Sequence, residues 1–161
     1  RFGGSTEHSH KRNIDMRDHL QDALSSHKRS VEFIGQVPPE RVPTILAETD
    51  ICVFPSVWEN FANVCLESMA AGRGVVASEA GGMAEMLDFG KFGRTIPPRS
   101  YRKIAQAIIE LLDNPQLRMK LGKAARDRLL REYNVDRIGE LQEASYCRAM
   151  ERRREQGSRA I

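Results

Sequence analysis

Four short apolar runs constrain the fold of this chain more than any other feature. Val31-Glu32-Phe33-Ile34, Ile51-Cys52-Val53-Phe54, Val75-Val76-Ala77 and Arg94-Thr95-Ile96 are centred about 20 residues apart, with helix-period segments between them. Successive βα units produce that rhythm and set their strands in a parallel sheet. The runs are near-continuously apolar instead of alternating, which suits strands covered on both faces. Gly35, Pro38-Pro39, Pro55-Ser56, Gly72, Gly81-Gly82 and Pro97-Pro98 punctuate the pattern. The sequence therefore predicts an α/β fold: a Rossmann-like parallel sheet with helices on both faces. Helices are expected at about 40–48 and 61–71, with a short one through Leu87.

Beyond Pro98 the character changes. Ile104, Ala107, Ile108, Leu111 and Leu112 repeat at helical spacing until Asn114-Pro115 interrupts them. A second helix is expected at 116–132 and a third at 136–155, with a frayed end. Residues 1–134 read as one Rossmann-like domain and 135–161 as a C-terminal helix with a basic tail. The chain opens at Arg1 in what reads as the end of a strand, so a longer parent, truncated here on its N-terminal side, is expected.

Composition narrows the function classes. The 25 basic and 22 acidic residues nearly balance, and much of the excess lies between Arg148 and Arg159. A nucleic-acid partner is not expected, because no basic face runs through the body. No stretch approaches the ~20 apolar residues of a membrane span. The three cysteines, Cys52, Cys65 and Cys147, are odd in number and lack metal-ligand spacing. Cys52 and Cys65 sit in apolar runs, where a thiol acts as a small hydrophobe. A cytoplasmic setting fits best.

Open α/β sheets bind ligands at the carboxyl ends of their strands. The richest such loop is Pro55-Ser56-Val57-Trp58-Glu59-Asn60-Phe61-Ala62-Asn63, which leads into a helix carrying Glu67. Free amides and the positive dipole end at a helix start favour phosphate or diphosphate, and Asn60 is a suitable N-cap. A solvated loop acid at Glu59 and a surface acid at Glu67 are the plain alternative. Eight residues of helix rise about 12 Å, more than the ~5–9.5 Å between the carboxylates of a glycoside hydrolase. The span suits a ligand lying along the helix end, such as a nucleoside-diphosphate sugar, whose hydroxyls donate to carboxylates.

The stretch Phe54-Pro55-Ser56, Glu59-Asn60-Phe61, Leu66-Glu67-Ser68-Met69-Ala70-Ala71-Gly72, Val75-Val76-Ala77-Ser78, Gly81-Gly82 and Glu85 resembles the C-terminal, donor-binding domain of group 1 (family 4) glycosyltransferases. Glu59 and Glu67, with seven residues between them, match the family's paired glutamates. Phe33-Ile34-Gly35-Gln36-Val37 resembles its strand before the base pocket, and the likeness extends from Val31 to Tyr133. The resemblance implies the C-terminal half of a GT-B fold. It implies a retaining glycosyltransferase that takes sugar from a nucleoside-diphosphate sugar, with no cofactor and no metal. It also implies an N-terminal acceptor-binding domain as partner, without which this piece is expected to be inactive. A membrane-linked acceptor, and peripheral attachment to the membrane, would suit such enzymes in polysaccharide or glycolipid biosynthesis.

Site roles follow from the same resemblance. Glu59 is the catalytic-site acid, holding hydroxyls of the donor sugar. Glu67 accepts hydrogen bonds from the ribose. Asn60 opens the helix, and the backbone amides of Phe61, Ala62, Asn63 and Val64 face sugar and diphosphate. Gln36 and Val37 meet the base. Apart from the resemblance, Gly3-Gly4 reads either as a turn where backbone at Gly4 approaches a ligand or as a plain tight turn. The sequence departs from the family in reading Asn60-Phe61-Ala62 for Gly-Phe-Gly and Gly74 for a proline. The upstream basic pair that grips the diphosphate is not in this sequence. A non-catalytic α/β module that binds a nucleotide or a partner is the alternative function.

Other signals carry less. Gly72-Arg73-Gly74-Val75-Val76-Ala77 fits G-x-G-x-x-A but ends a helix and begins a strand, the reverse of a dinucleotide turn. No Walker-type loop occurs. His8 and His10 lack companion ligands. The cluster Arg148, Arg152, Arg153 and Arg154 is either a solvated helix end or a site for anionic lipid. Trp58 is either a wall of the sugar site or packing.

Overall fold

The structure is a computed structural model that describes residues 2–3, 16–27 and 30–158. The chain divides into two compact units, Arg1–Ile45 and Leu46–Ile161. In the first, β1 (Phe2–Gly3) pairs in parallel with β2 (Phe33–Gly35), and α1 (Met16–Ala23) lies between them in sequence. A 3₁₀ turn at Pro39–Arg41 then runs into α2 (Val42–Ala47), a tighter start than the single helix expected at 40–48. Pro43 falls in the first turn of α2, where a missing N–H costs little.

The second unit is the three-layer part. Its sheet has the order β3-β4-β5, formed by Ile51–Phe54, Gly74–Ser78 and Arg94–Ile96, and every pairing is parallel. Around it stand α3 (Asn63–Ala70), α4 (Gly82–Met86), α5 (Tyr101–Asp113) and α6 (Pro115–Glu132), followed by α7 (Val135–Ser158). All five residues of β4 are buried, as a central strand requires. Its side chains alternate between two cores. Val75 and Ala77 pack with Cys65 and Met69 of α3 and with Met83 and Met86 of α4. Val76 packs with Ile96, Ala107 and Leu111 on the α5 side. Helices therefore cover both faces, and the α/β architecture expected from the apolar runs holds.

The start of α6 follows ordinary capping chemistry. Asn114 accepts from the Leu117 amide at 2.9 Å, and Pro115 occupies the first turn of α6. Arg118 joins α6 to the rest by reaching Asp50 at 3.0 Å and the Leu111 carbonyl at 3.0 Å.

Candidate functional site

The site is built where two neighbouring parallel strands end. Beyond Phe54 the chain enters the 55–62 loop; beyond Ser78 it enters the 79–81 turn. The two connections continue the pairing of their strands through an isolated parallel bridge between Glu59 and Gly81. The Gly82 amide donates to the Glu59 carbonyl at 3.1 Å. Gly81 has φ +95°, and a Cβ there would collide with the Glu59 carbonyl; a Cβ at Gly82 would collide with that of Asn60. Only glycines allow the Glu59 loop to lie this close. Ser78, fully buried, accepts from the Ala80 amide at 3.2 Å, and the Glu79 amide donates to Ile96 at 2.9 Å.

Helix α3 starts at Asn63 with Ala62 as its N-cap, and no side chain caps it. Asn60 is thus not the N-cap that the sequence suggests, because its carbonyl is pressed against Gly82 and the helix begins three residues later. The Cys65 and Leu66 amides bond back to the Ala62 carbonyl at 2.9 and 3.3 Å. Among the described residues, no backbone acceptor outside the helix meets the amides of Asn63 and Val64. These are the first-turn donors left over at any helix start.

The anticipated residues fall as follows. Glu59 is half-buried, while Asn60 is exposed. Ala62 is buried, and Asn63, Val64 and Glu67 are exposed on α3. Phe61 is 49% exposed and meets Tyr133 edge-on, with centroids 6.0 Å apart. Glu59 through Glu67 therefore form one continuous loop-and-helix segment. Gln36, exposed, and Val37, half-buried, follow β2 in the first unit. Gly4 lies outside the described residues. Trp58 is 72% exposed, so packing against the core does not account for it.

Beneath the loop, Cys52 and Cys65 are buried and unpaired. Burial, with the neighbouring Cys52 adding to it, pushes the Cys65 thiol up to about 12. Burial also raises Cys52, against a Ser68 hydrogen bond and the Arg73 charge. Both remain neutral packing groups and not nucleophiles. A concavity of about 530 Å³ lies in the first unit, lined by Arg17, Gln21, Leu24, Val31 and Phe33 among others, none of them an anticipated ligand. Among the described residues, no three of His, Cys, Asp and Glu gather in one place, and no helix is long and apolar enough to cross a membrane.

Sequence reasoning missed the group behind the loop: Phe92, Arg128 and Tyr133. Arg128 lies over the Phe92 and Tyr133 rings at 4.9 and 5.9 Å. Its only local signal was the four-residue spacing to Glu132.

Fold and site together define a Rossmann-like α/β domain with its polar loops at the carboxyl ends of parallel strands. Residues 15–128 match the family of glycosyl transferases group 1, and the chain belongs to that family. It is 32% identical over 120 residues to the glycogen synthase of Mycobacterium tuberculosis, covering 73% of this chain and 29% of that protein. It superimposes on the sucrose-phosphate synthase of Thermosynechococcus elongatus with TM-score 0.76 at 26% identity, covering 92% of this chain and 37% of that one. HepE of Anabaena, solved in complex with UDP, superimposes with TM-score 0.76 at 23% identity over 83% of this chain and 37% of its own. The chain spans about a third of the length of such relatives. The fold is that of the C-terminal half of GT-B glycosyltransferases.

Proposed function

We propose that the chain is the donor-binding half of a retaining glycosyltransferase that moves a sugar from a nucleoside-diphosphate sugar to an acceptor. The observation that carries this reading is that the family match runs through the segment with Glu59, the first-turn amides of Asn63 and Val64, and Glu67. A protein of the same fold, HepE, has been solved with UDP and with UDP-glucose, in keeping with such a donor.

The chemistry follows from charge. As the glycosidic bond breaks, negative charge grows on the departing nucleoside diphosphate. Fixed amide dipoles at the start of α3 stabilise that charge more in the transition state than in the ground state, which lowers the barrier. Glu59 accepts from hydroxyls of the sugar and fixes its orientation, while Glu67 accepts from the ribose. Attack on the face from which the diphosphate departs retains configuration, so no base from this half is required. Nor does the scheme call for a metal, because amides take up the charge. An N-terminal domain supplies the acceptor site, and the setting is cytoplasmic, with Arg148, Arg152, Arg153 and Arg154 suited to an anionic membrane surface.

Calorimetry of this chain against UDP, GDP and ADP tests the reading. At least one nucleotide binds, and Glu67→Ala weakens it by at least about 1 kcal/mol, the worth of a hydrogen bond to a charged group. Absence of binding by all three overturns the donor assignment; unchanged affinity in the variant removes Glu67 from the site.

A further inference from the structure

Arg128 is an unusual cation for a helix surface. Its side chain, on α6, is only 14% exposed. Burying a guanidinium is costly unless it is paired and hydrogen-bonded, and this one is engaged on several sides. Nη2 donates to the Glu85 carbonyl at 3.2 Å and lies 3.1 Å from Glu132. Nη1 stands 3.5 Å from Asp88. Nε is enclosed and finds no acceptor among the described residues, so the group forgoes one hydrogen bond to keep this posture. The flat cation meanwhile lies over Phe92 at 4.9 Å and Tyr133 at 5.9 Å. A lysine cannot reproduce a fork that reaches a carbonyl and two carboxylates while stacking on rings.

Two routes lead from this group to Glu59. Through Tyr133 it reaches Phe61, whose ring meets that tyrosine at 6.0 Å and 60°, two residues along the loop from Glu59. Through Glu85 it holds α4, whose first residue, Gly82, donates its amide to the Glu59 carbonyl. Both connections leaving the strand ends are thereby fastened to one post at the end of α6.

We propose that Arg128 is a positioning residue that sets the geometry of the Glu59 loop for the donor; this rests on the reading of that loop as the donor site. Arg128 itself touches no reacting atom. It acts by holding Phe61 and α4 in register, so that Glu59 and the α3 amides are presented together. Energetic coupling of this kind passes through contiguous packed and hydrogen-bonded groups.

Trp58 provides the readout, being the single tryptophan of the chain and exposed in the same loop. The experiment compares the parent chain with Arg128→Lys, Arg128→Met, Phe61→Leu and Arg128→Met with Phe61→Leu. Time-resolved Trp58 anisotropy and calorimetric affinity are measured, using whichever of UDP, GDP and ADP binds the parent best. Arg128→Met is expected to increase fast local motion of Trp58 and to weaken the nucleotide about tenfold, with Arg128→Lys showing a smaller change in the same direction. The double variant is expected to lose less than the two single losses combined. Unchanged Trp58 motion together with affinity within about twofold of the parent in both Arg128 variants overturns the proposal, whatever the thermal midpoint does. If the parent binds none of the nucleotides, the donor reading fails, and Trp58 motion alone then decides whether Arg128 sets the loop.

Discussion

The two faces of β4 are built from different materials. On the side of α3 and α4 the core is Ala62, Cys65, Met69, Val75, Ala77, Met83, Met86, Leu87 and Ala125, backed by Phe54, Leu66, Phe92, Leu129 and Tyr133. On the side of α5 it is Val76, Ile96, Ala107, Leu111 and Leu121, backed by Ile51, Val53, Ile104, Ile108 and Leu117. Small residues and unbranched methionines make up most of the first core, and methionine adapts to irregular gaps. Branched aliphatics dominate the other face, and the Val and Ile residues among them are stiff at χ1. The segment from Glu59 to Glu67 and the 79–81 turn lead into α3 and α4, the two helices that pack on the first face. The contrast lies within one strand: the α5 face is aliphatic packing, and the α3–α4 face carries the helices whose starts the proposed donor would meet.

The sharpest way to break this division is at the glycine turn. Gly81→Ala places a side chain at a left-handed position and drives it into the Glu59 carbonyl. We expect a loss of about 4 kcal/mol in urea unfolding, from left-handed strain and overpacking together, and no measurable nucleotide binding. A variant that unfolds at the parent's midpoint and still binds would show that the two connections are not locked together. Leu111→Ala makes the converse test on the α5 face. Leu111 is fully buried, and its truncation should cost about 3 kcal/mol through lost burial and the cavity left behind. Nucleotide affinity, measured by calorimetry on the folded variant, should stay at the parent's value. A weakened affinity would mean that the α5 face also shapes the site.

Much of this arrangement was legible in the sequence, for identifiable reasons. The runs at 51–54, 75–77 and 94–96 became β3, β4 and β5 because a doubly covered parallel sheet demands continuous apolar strands. Glycine pairs and prolines marked the connections. The start of α3 was less legible. Asn60 has the chemistry of an N-cap, yet the tertiary contact of its carbonyl with Gly82 holds it outside the helix, and Ala62 caps by backbone alone. Arg128 was illegible for a different reason. Its partners Glu85, Asp88 and Phe92 lie some forty residues upstream, and no periodicity within α6 marks a residue whose role is set by contacts so distant in sequence.

The smallest effect belongs to the rim of the α5 face, where Arg94 of β5 grips Glu110 of α5 with two hydrogen bonds, at 2.8 and 2.6 Å. Those bonds hold the Glu110 carboxyl below its ordinary range against the opposing effect of burial, with a lesser contribution from the Arg94 charge. The folded protein therefore releases this proton more readily than the unfolded chain. The stabilisation is present above the ordinary carboxylate range and disappears as pH falls through the depressed folded value. Both side chains retain solvent contact, at 27% and 46% exposure, so screening keeps the contribution under about 1 kcal/mol. Glu110→Gln should lower the urea midpoint slightly at neutral pH, and the difference from the parent should vanish near about pH 2, where carboxylates are protonated in both states. A difference that persists unchanged in acid would assign the effect to packing of the side chain instead of to charge. In either case nucleotide affinity should not move, because the pair joins β5 to α5 and not the elements that carry Glu59 to Glu67.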